Sequence, residues 1–205
     1  MKLNVSKKGI RVLGISESFR KGVSKKSVLA GIVMRGDLLI DGFAITTITV
    51  GGLDATQGVL NIYNILNRKD INAIMLNGVI IAWYNVIDLE KIYNETKVPI
   101  IAVTYEESEE KLDKYFKENF PEDCEKRIEI YRRNGEREKI RLKTGHVVLV
   151  RYLGMRRDEA KGLLNKFVRQ GAIPEPLRVS RLLARTLMQH PIKLDLIQNF
   201  DKNKL

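Results

Sequence analysis

The chain has 205 residues and is 44% hydrophobic, which suits one domain with a real core, or a domain with a modest extension. Its 36 Lys and Arg against 25 Asp and Glu give a net charge of +11, directing attention to nucleic acid, an anionic membrane or an acidic partner. The only cysteine, Cys124, excludes an intramolecular disulfide framework and a cysteine-based zinc site.

Residues 10–16 (IRVLGIS) form a short apolar run that predicts a buried strand, and the Lys/Ser/Gly-rich stretch 20–27 reads as a loop. Residues 28–34 predict a second strand, Arg35-Gly36-Asp37 a turn, and residues 38–50 a third strand bent at Asp41-Gly42. The short connections favour antiparallel pairing. Asp54-Ala-Thr-Gln57 has the form of a capping box, and Val59, Leu60, Ile62, Tyr63 and Leu66 follow at helical spacing. A strand over 71–76, a helix over 88–97 and a strand over 98–104 come next, the strand-helix-strand unit being right-handed and parallel. Three strands, helix, strand, helix, strand is the order of a ribonuclease-H-like α/β core with a mixed five-stranded sheet flanked by helices.

Beyond residue 105 the chain reads as a charged, mainly helical C-terminal extension. Residues 106–125 hold nine acids against three lysines, and residues 126–157 are rich in Lys and Arg. One further strand is expected at 146–152, and helices at about 156–169 and 175–189. The expected layout is a single domain: core 1–105, extension 106–192, and a polar, frayed tail 193–205. No apolar run reaches the ~18 residues of a membrane span, and no signal segment opens the chain. These features predict a cytoplasmic protein with no membrane partner.

Seven collinear pieces carry a family resemblance: Arg11-Val-Leu-Gly14, Val33-Met-Arg-Gly36, Gly52-Leu-Asp-Ala-Thr56, Ile74-Met-Leu-Asn-Gly78, Ala82 with Asn85-Val-Ile-Asp88, Val98-Pro-Ile-Ile-Ala-Val103 and Ile173-Pro-Glu-Pro-Leu-Arg178. In these the chain resembles the archaeal domain-of-unknown-function family numbered ninety-nine, which is related to endonuclease V. The resemblance implies a ribonuclease-H-like fold and a divalent-metal-dependent nuclease acting on DNA or RNA near deaminated bases, a DNA-repair chemistry. The chain departs from the family pattern where metal ligands are expected. Ser16-Glu17-Ser18 stands in place of Asp-Asp-Gly, Gly51 in place of Asp, Asn77 in place of Asp or Lys, and Trp83 in place of Gly.

Magnesium prefers hard oxygen ligands and keeps several waters, so a few carboxylates suffice. Glu17, Asp54 and Asp88 are the candidate metal-binding and catalytic acids, with Asn77 adding a neutral carbonyl and weak Mg2+ binding expected. Each has a plainer alternative: Asp54 and Asp88 as helix caps, Glu17 as a solvated loop residue, Asn77-Gly78 as a turn. Trp83, Tyr84 and Asn85 are candidate substrate contacts, Trp83 by stacking on an extruded base or instead by filling the core. Arg178, Arg181 and Arg185, at i, i+3 and i+7, share a helix face suited to phosphates, as do Arg157 and Lys161 on the preceding helix. The alternative is a solvated face, or pairing with the acidic 106–125 segment. Two functions remain open: a metal-dependent endonuclease, and a non-catalytic nucleic-acid-binding relative whose acids have decayed. A protein-interaction module is a third, for the case that nucleic acid fails to bind.

Overall fold

The computed structural model describes residues 3–106 and 112–190. Strands β1 (Arg11–Ser18), β2 (Lys26–Arg35) and β3 (Ile40–Thr49) form an antiparallel meander. Helix α1 (Ala55–Leu66) leads to β4 (Ala73–Leu76), which pairs parallel with β1. A two-residue hairpin, β5 (Ile80–Ile81) and β6 (Asn85–Val86), precedes α2 (Leu89–Thr96) and β7 (Ile100–Thr104), which is parallel to β4. Then come α3 (Leu112–Asn119), α4 (Cys124–Arg133), β8 (Glu138–Arg141), β9 (Val147–Leu153), α5 (Arg157–Phe167) and α6 (Glu175–Gln189). The main sheet runs β3-β2-β1-β4-β7-β9-β8.

The expected five core strands are present in the expected order, but the sheet is larger. Among the described residues it has seven strands, because β9 and β8 add to it antiparallel beyond β7. The segment after residue 105 is thus not simply helical. Strand β8 (EKIR) shows no apolar run because only Ile140 faces the core, while its other residues are exposed. The segment expected as a loop to residue 27 gives way to strand at Lys26, since Lys26 and Ser27 pair with Thr49 and Ile48. The expected bend in β3 is a register shift in which Val33 faces Gly42 and Met34 faces Ile40. The displaced Asp41 is held by Arg11 at 2.5 Å and Arg68 at 2.9 Å. The tail expected from residue 193 lies outside the described residues, as do residues 107–111 of the acidic segment.

Period-two alternation divides the inner strands between two cores. Leu13 and Ile15, Ile74 and Leu76, and Ile100 and Ala102 face the α1–α2 side with Val59, Ile62 and Ile92. Val12, Met75, Ile101 and Val103 face the opposite side with Leu163, Phe167 and Leu177 of α5 and α6. The inner strands therefore read as continuous apolar runs, as strands covered on both faces do. Helix α6 lies so close on β1 that a side chain at Gly14 would collide with Pro176.

Candidate functional site

The apolar runs of β1, β4 and β7 end on the same edge of the sheet, where loops from different parts of the chain meet, the usual place for chemistry in an open α/β sheet. Glu17, near the end of β1, sits there half-buried and accepts a hydrogen bond from Ser27 Oγ at 2.9 Å. Burial pushes its carboxyl above the ordinary 4.5, against the opposing pull of Ser27, the Ala82 N–H and the Arg181 charge. Glu17 thus joins β1, β2 and the β5–β6 turn at one point, within reach of the Arg181 charge on α6. Its neighbour Ser16 points to the other face. It is buried, donating to the Leu177 carbonyl at 3.0 Å and accepting from Ser180 Oγ at 2.8 Å.

Asp54 occupies the N-cap position of α1, but its side chain makes no cap bond, so the capping box expected from the sequence does not form. It turns back to β3, where its oxygens accept from the Thr49 N–H at 3.0 Å, Thr49 Oγ1 at 2.8 Å and Asn85 Nδ2 at 2.7 Å. Burial works against the charged form, yet the bonds from Thr49 and Asn85 prevail and hold the carboxyl below its ordinary value. Asn85 is fully buried and bound on all sides, to Asp54, the Thr49 carbonyl and the Ala55 N–H. Asp88 does cap its helix, accepting from the Lys91 N–H at 3.0 Å, and it pairs with Arg133 at 3.0 Å. Asn77 lines a cavity of about 310 Å³ between the ends of β4 and β7, with Thr104, Tyr105, Arg137 and Arg151.

Magnesium needs near-octahedral oxygens, usually one or two carboxylates plus waters and phosphate, and a two-metal nuclease centre needs more. Among the described residues no three His, Cys, Asp or Glu side chains gather as such a group would require. Glu17 brings one carboxylate, while Asp54 and Asp88 are engaged by the partners named above. The described residues do not fit a two-metal centre.

Trp83 and Tyr84 project from the β5–β6 turn. Ala82, Trp83 and Tyr84 have φ of 42°, 57° and 65°, three successive non-glycine residues in the left-handed region. That conformation costs roughly 1–2 kcal/mol per residue, so the surroundings must enforce it. Arg127, 1% exposed, does so: its guanidinium donates to the carbonyls of Gly52 (2.9 Å), Tyr84 (2.7 Å) and Gly51 (2.7 Å) and pairs with Asp123 (2.5 Å). It also lies 3.9 Å over the Phe120 ring. Trp83 meets Phe120 edge-on at 5.5 Å, and Tyr84 stacks on Tyr115 at 6.1 Å. Sequence gave no warning of Arg127, because an Arg four residues after an Asp on a charged helix looks like a solvated pair.

The arginine face on α6 is divided. Arg178 binds Glu175 of its own helix at 2.6 Å, while Arg181 and Arg185 are exposed, and the Arg181 charge reaches both Glu17 and Tyr105. On α5, Arg157 pairs with Glu138 at 3.2 Å and Lys161 is exposed. Pairing between the acidic and basic segments is present in Arg132 with Asp113. No described helix is long and apolar enough to cross a membrane.

The family model described as Endonuclease dU matches residues 8–188. A UPF0215 protein of Pyrobaculum calidifontis is 34% identical over 178 residues, 87% of this chain and 97% of that protein. A second, from Thermococcus kodakarensis, is 32% identical over 188 residues, 87% of this chain and 92% of that protein. Among solved structures, a protein of unknown function from Archaeoglobus fulgidus has a TM-score of 0.75 at 29% identity, covering 87% of this chain and 98% of that one. Endonuclease V of Ciona intestinalis, crystallised with DNA containing an inosine followed by a ribo-adenosine, has a TM-score of 0.61 at 13% identity, covering 90% and 88%. Human ENDOV gives 0.61 at 14%, covering 89% and 86%. At these last identities the likeness is one of fold, and that fold is ribonuclease-H-like.

Proposed function

Since this chain belongs to the endonuclease dU family, we propose that it binds nucleic acid across the sheet edge where β1, β4 and β7 end, without metal-dependent cutting. One observation carries this reading. Two of the three candidate acids are engaged by the fold, Asp54 with Thr49 and Asn85 and Asp88 with Lys91 and Arg133, while Arg181, whose charge acts on Glu17, and Arg185 stand exposed on α6. Exposed cations on one helix face neutralise backbone phosphates and release counterions, which makes affinity salt-dependent. The inosine-containing DNA bound by the Ciona endonuclease V supports nucleic acid as the partner class.

A second reading keeps catalysis: an endonuclease-V-like enzyme acting at deaminated bases in DNA repair, with Mg2+ held by Glu17 and assisted by Asp54, Asn77 and Asp88. Glu17 favours it, as a carboxyl on the sheet edge with its proton affinity raised, a property common at reacting sites. Fluorescence anisotropy of labelled strands containing uracil or hypoxanthine, at rising salt, with calorimetry and gel analysis in magnesium, separates the two. Binding that falls with salt, with no magnesium heat and no cut product, is the expected result. Magnesium-dependent cleavage lost in Glu17→Ala establishes the nuclease instead. Absence of binding at low salt removes both and leaves a protein-interaction module.

A further inference from the structure

Resting on the nucleic-acid reading, we infer that Trp83, supported edge-on by Phe120, is a stacking platform for one unpaired base, making single-stranded nucleic acid the ligand this edge selects. The chain contains one Trp, and it is 39% exposed although its neighbours Ala82 and Asn85 are buried. The backbone is bent to place it there, through the left-handed run at 82–84. Gly51 clears the space beneath: its φ is +70°, and a Cβ would lie 3.0 Å from Phe120 and 3.5 Å from Trp83. A larger residue at 51 would be strained at that φ and would press on the Phe120 ring.

The platform is braced from behind. Arg127 holds the carbonyls of Gly51, Gly52 and Tyr84 at once and covers the Phe120 ring, so it ties the turn and the Gly51 loop to α4. Cations border it. Lys26 Nζ donates to Thr49 Oγ1 at 2.9 Å, and the Lys25 carbonyl accepts from Val50 N–H at 3.0 Å, which puts two exposed lysines next to the Gly51 loop. The Arg181 charge acts on Glu17, which in turn accepts from the N–H of Ala82, the residue before Trp83. An aromatic face flanked by cations that follow a phosphate backbone is the arrangement that grips unpaired strands with little sequence preference. A paired base offers no free face and gains nothing from it.

The experiment titrates the full chain with a labelled oligothymidylate and with a duplex of matched length. Anisotropy of the label reports binding, and Trp83 fluorescence reports stacking. The single strand should quench Trp83 and bind more tightly than the duplex. Trp83→Ala should weaken single-strand binding roughly 5- to 150-fold, the range for loss of one stacked base, and Trp83→Phe should restore most of it. Circular dichroism shows whether Trp83→Ala folds, and quenching in the unaltered chain serves as the test if it does not. Anisotropy showing binding with unchanged Trp83 fluorescence, or equal affinity for the duplex, overturns the platform while leaving the nucleic-acid reading in place. No anisotropy change with either strand at low salt overturns both.

Discussion

Arg127→Ala tests whether one buried guanidinium organises the loop edge. The substitution leaves the carbonyls of Gly51, Gly52 and Tyr84 without their donor and Asp123 without its cation. An unpartnered buried polar group costs about 1–3 kcal/mol, so three carbonyls alone bound the loss at roughly 3–9 kcal/mol. Water admitted into the space of a lost Arg satisfies part of that, and Asp123 is partly solvated, so the expected cost is about 3–5 kcal/mol, as for breaking a buried ion pair from one side. That is a large share of the ~5–15 kcal/mol of a whole domain. Urea unfolding of Arg127→Ala and of Arg127→Lys, which keeps the charge and loses the fork, measures it. The Lys variant should recover less than half of the loss, since an ammonium cannot span three carbonyls and a carboxylate. A loss below about 1 kcal/mol in the Ala variant would refute the idea that Arg127 holds the left-handed turn in place.

Three more perturbations follow from the same geometry. Because the folded Glu17 carboxyl titrates above its ordinary 4.5, its contribution is fully present below that pH and is lost as pH rises through the folded value. Glu17→Gln should therefore raise the melting temperature at pH 7 and leave it unchanged near pH 4, and equal shifts at both would count against the burial effect. Asp54 has the opposite sign: its contribution is present above 3.8 and fades as pH falls below that. Asp54→Ala should cost about 2–3 kcal/mol at pH 7, from the stranded Thr49 and Asn85 donors, whether or not magnesium is added; a magnesium-dependent difference in unfolding would show that the carboxylate serves a metal after all. Ser16→Asp restores an acid by residue type, but the new carboxylate would face the Leu177 carbonyl in a buried seam. It should destabilise by about 2–4 kcal/mol and confer no magnesium-induced thermal shift.

Much of the scaffold is written in local chemistry. Helix α6 spans Glu175–Gln189 as expected, because Pro174 and Pro176 preset its first turn. The alternation of Leu13 and Ile15 against Val12 is not legible as alternation, since both faces are buried, but the runs still mark strands. What is lost is information carried by partners distant in the chain. Asp54 looks like a helix cap, and becomes a brace only because Asn85 arrives from 31 residues away. Asp88, whose cap partner lies three residues on, is legible. Strand β8 escapes notice because one apolar residue suffices where a long neighbour supplies the rest of the pairing. The turn at Ala82–Tyr84 escapes for a different reason: no residue there favours a left-handed backbone, and Arg127, some forty residues later, imposes it.

The seam between β1 and α6 has a temporal meaning. Ser16 and Leu177 lie 161 positions apart and are bonded, so during synthesis one flank of the first strand stays uncovered until the final described helix has left the ribosome. Loop closure over such a span is slow, and the uncovered apolar face of β1 invites association in the interval. Cellular supervision of the nascent chain, and sensitivity to ribosome stalling late in translation, are the expected physiological costs of covering an early strand with a late helix.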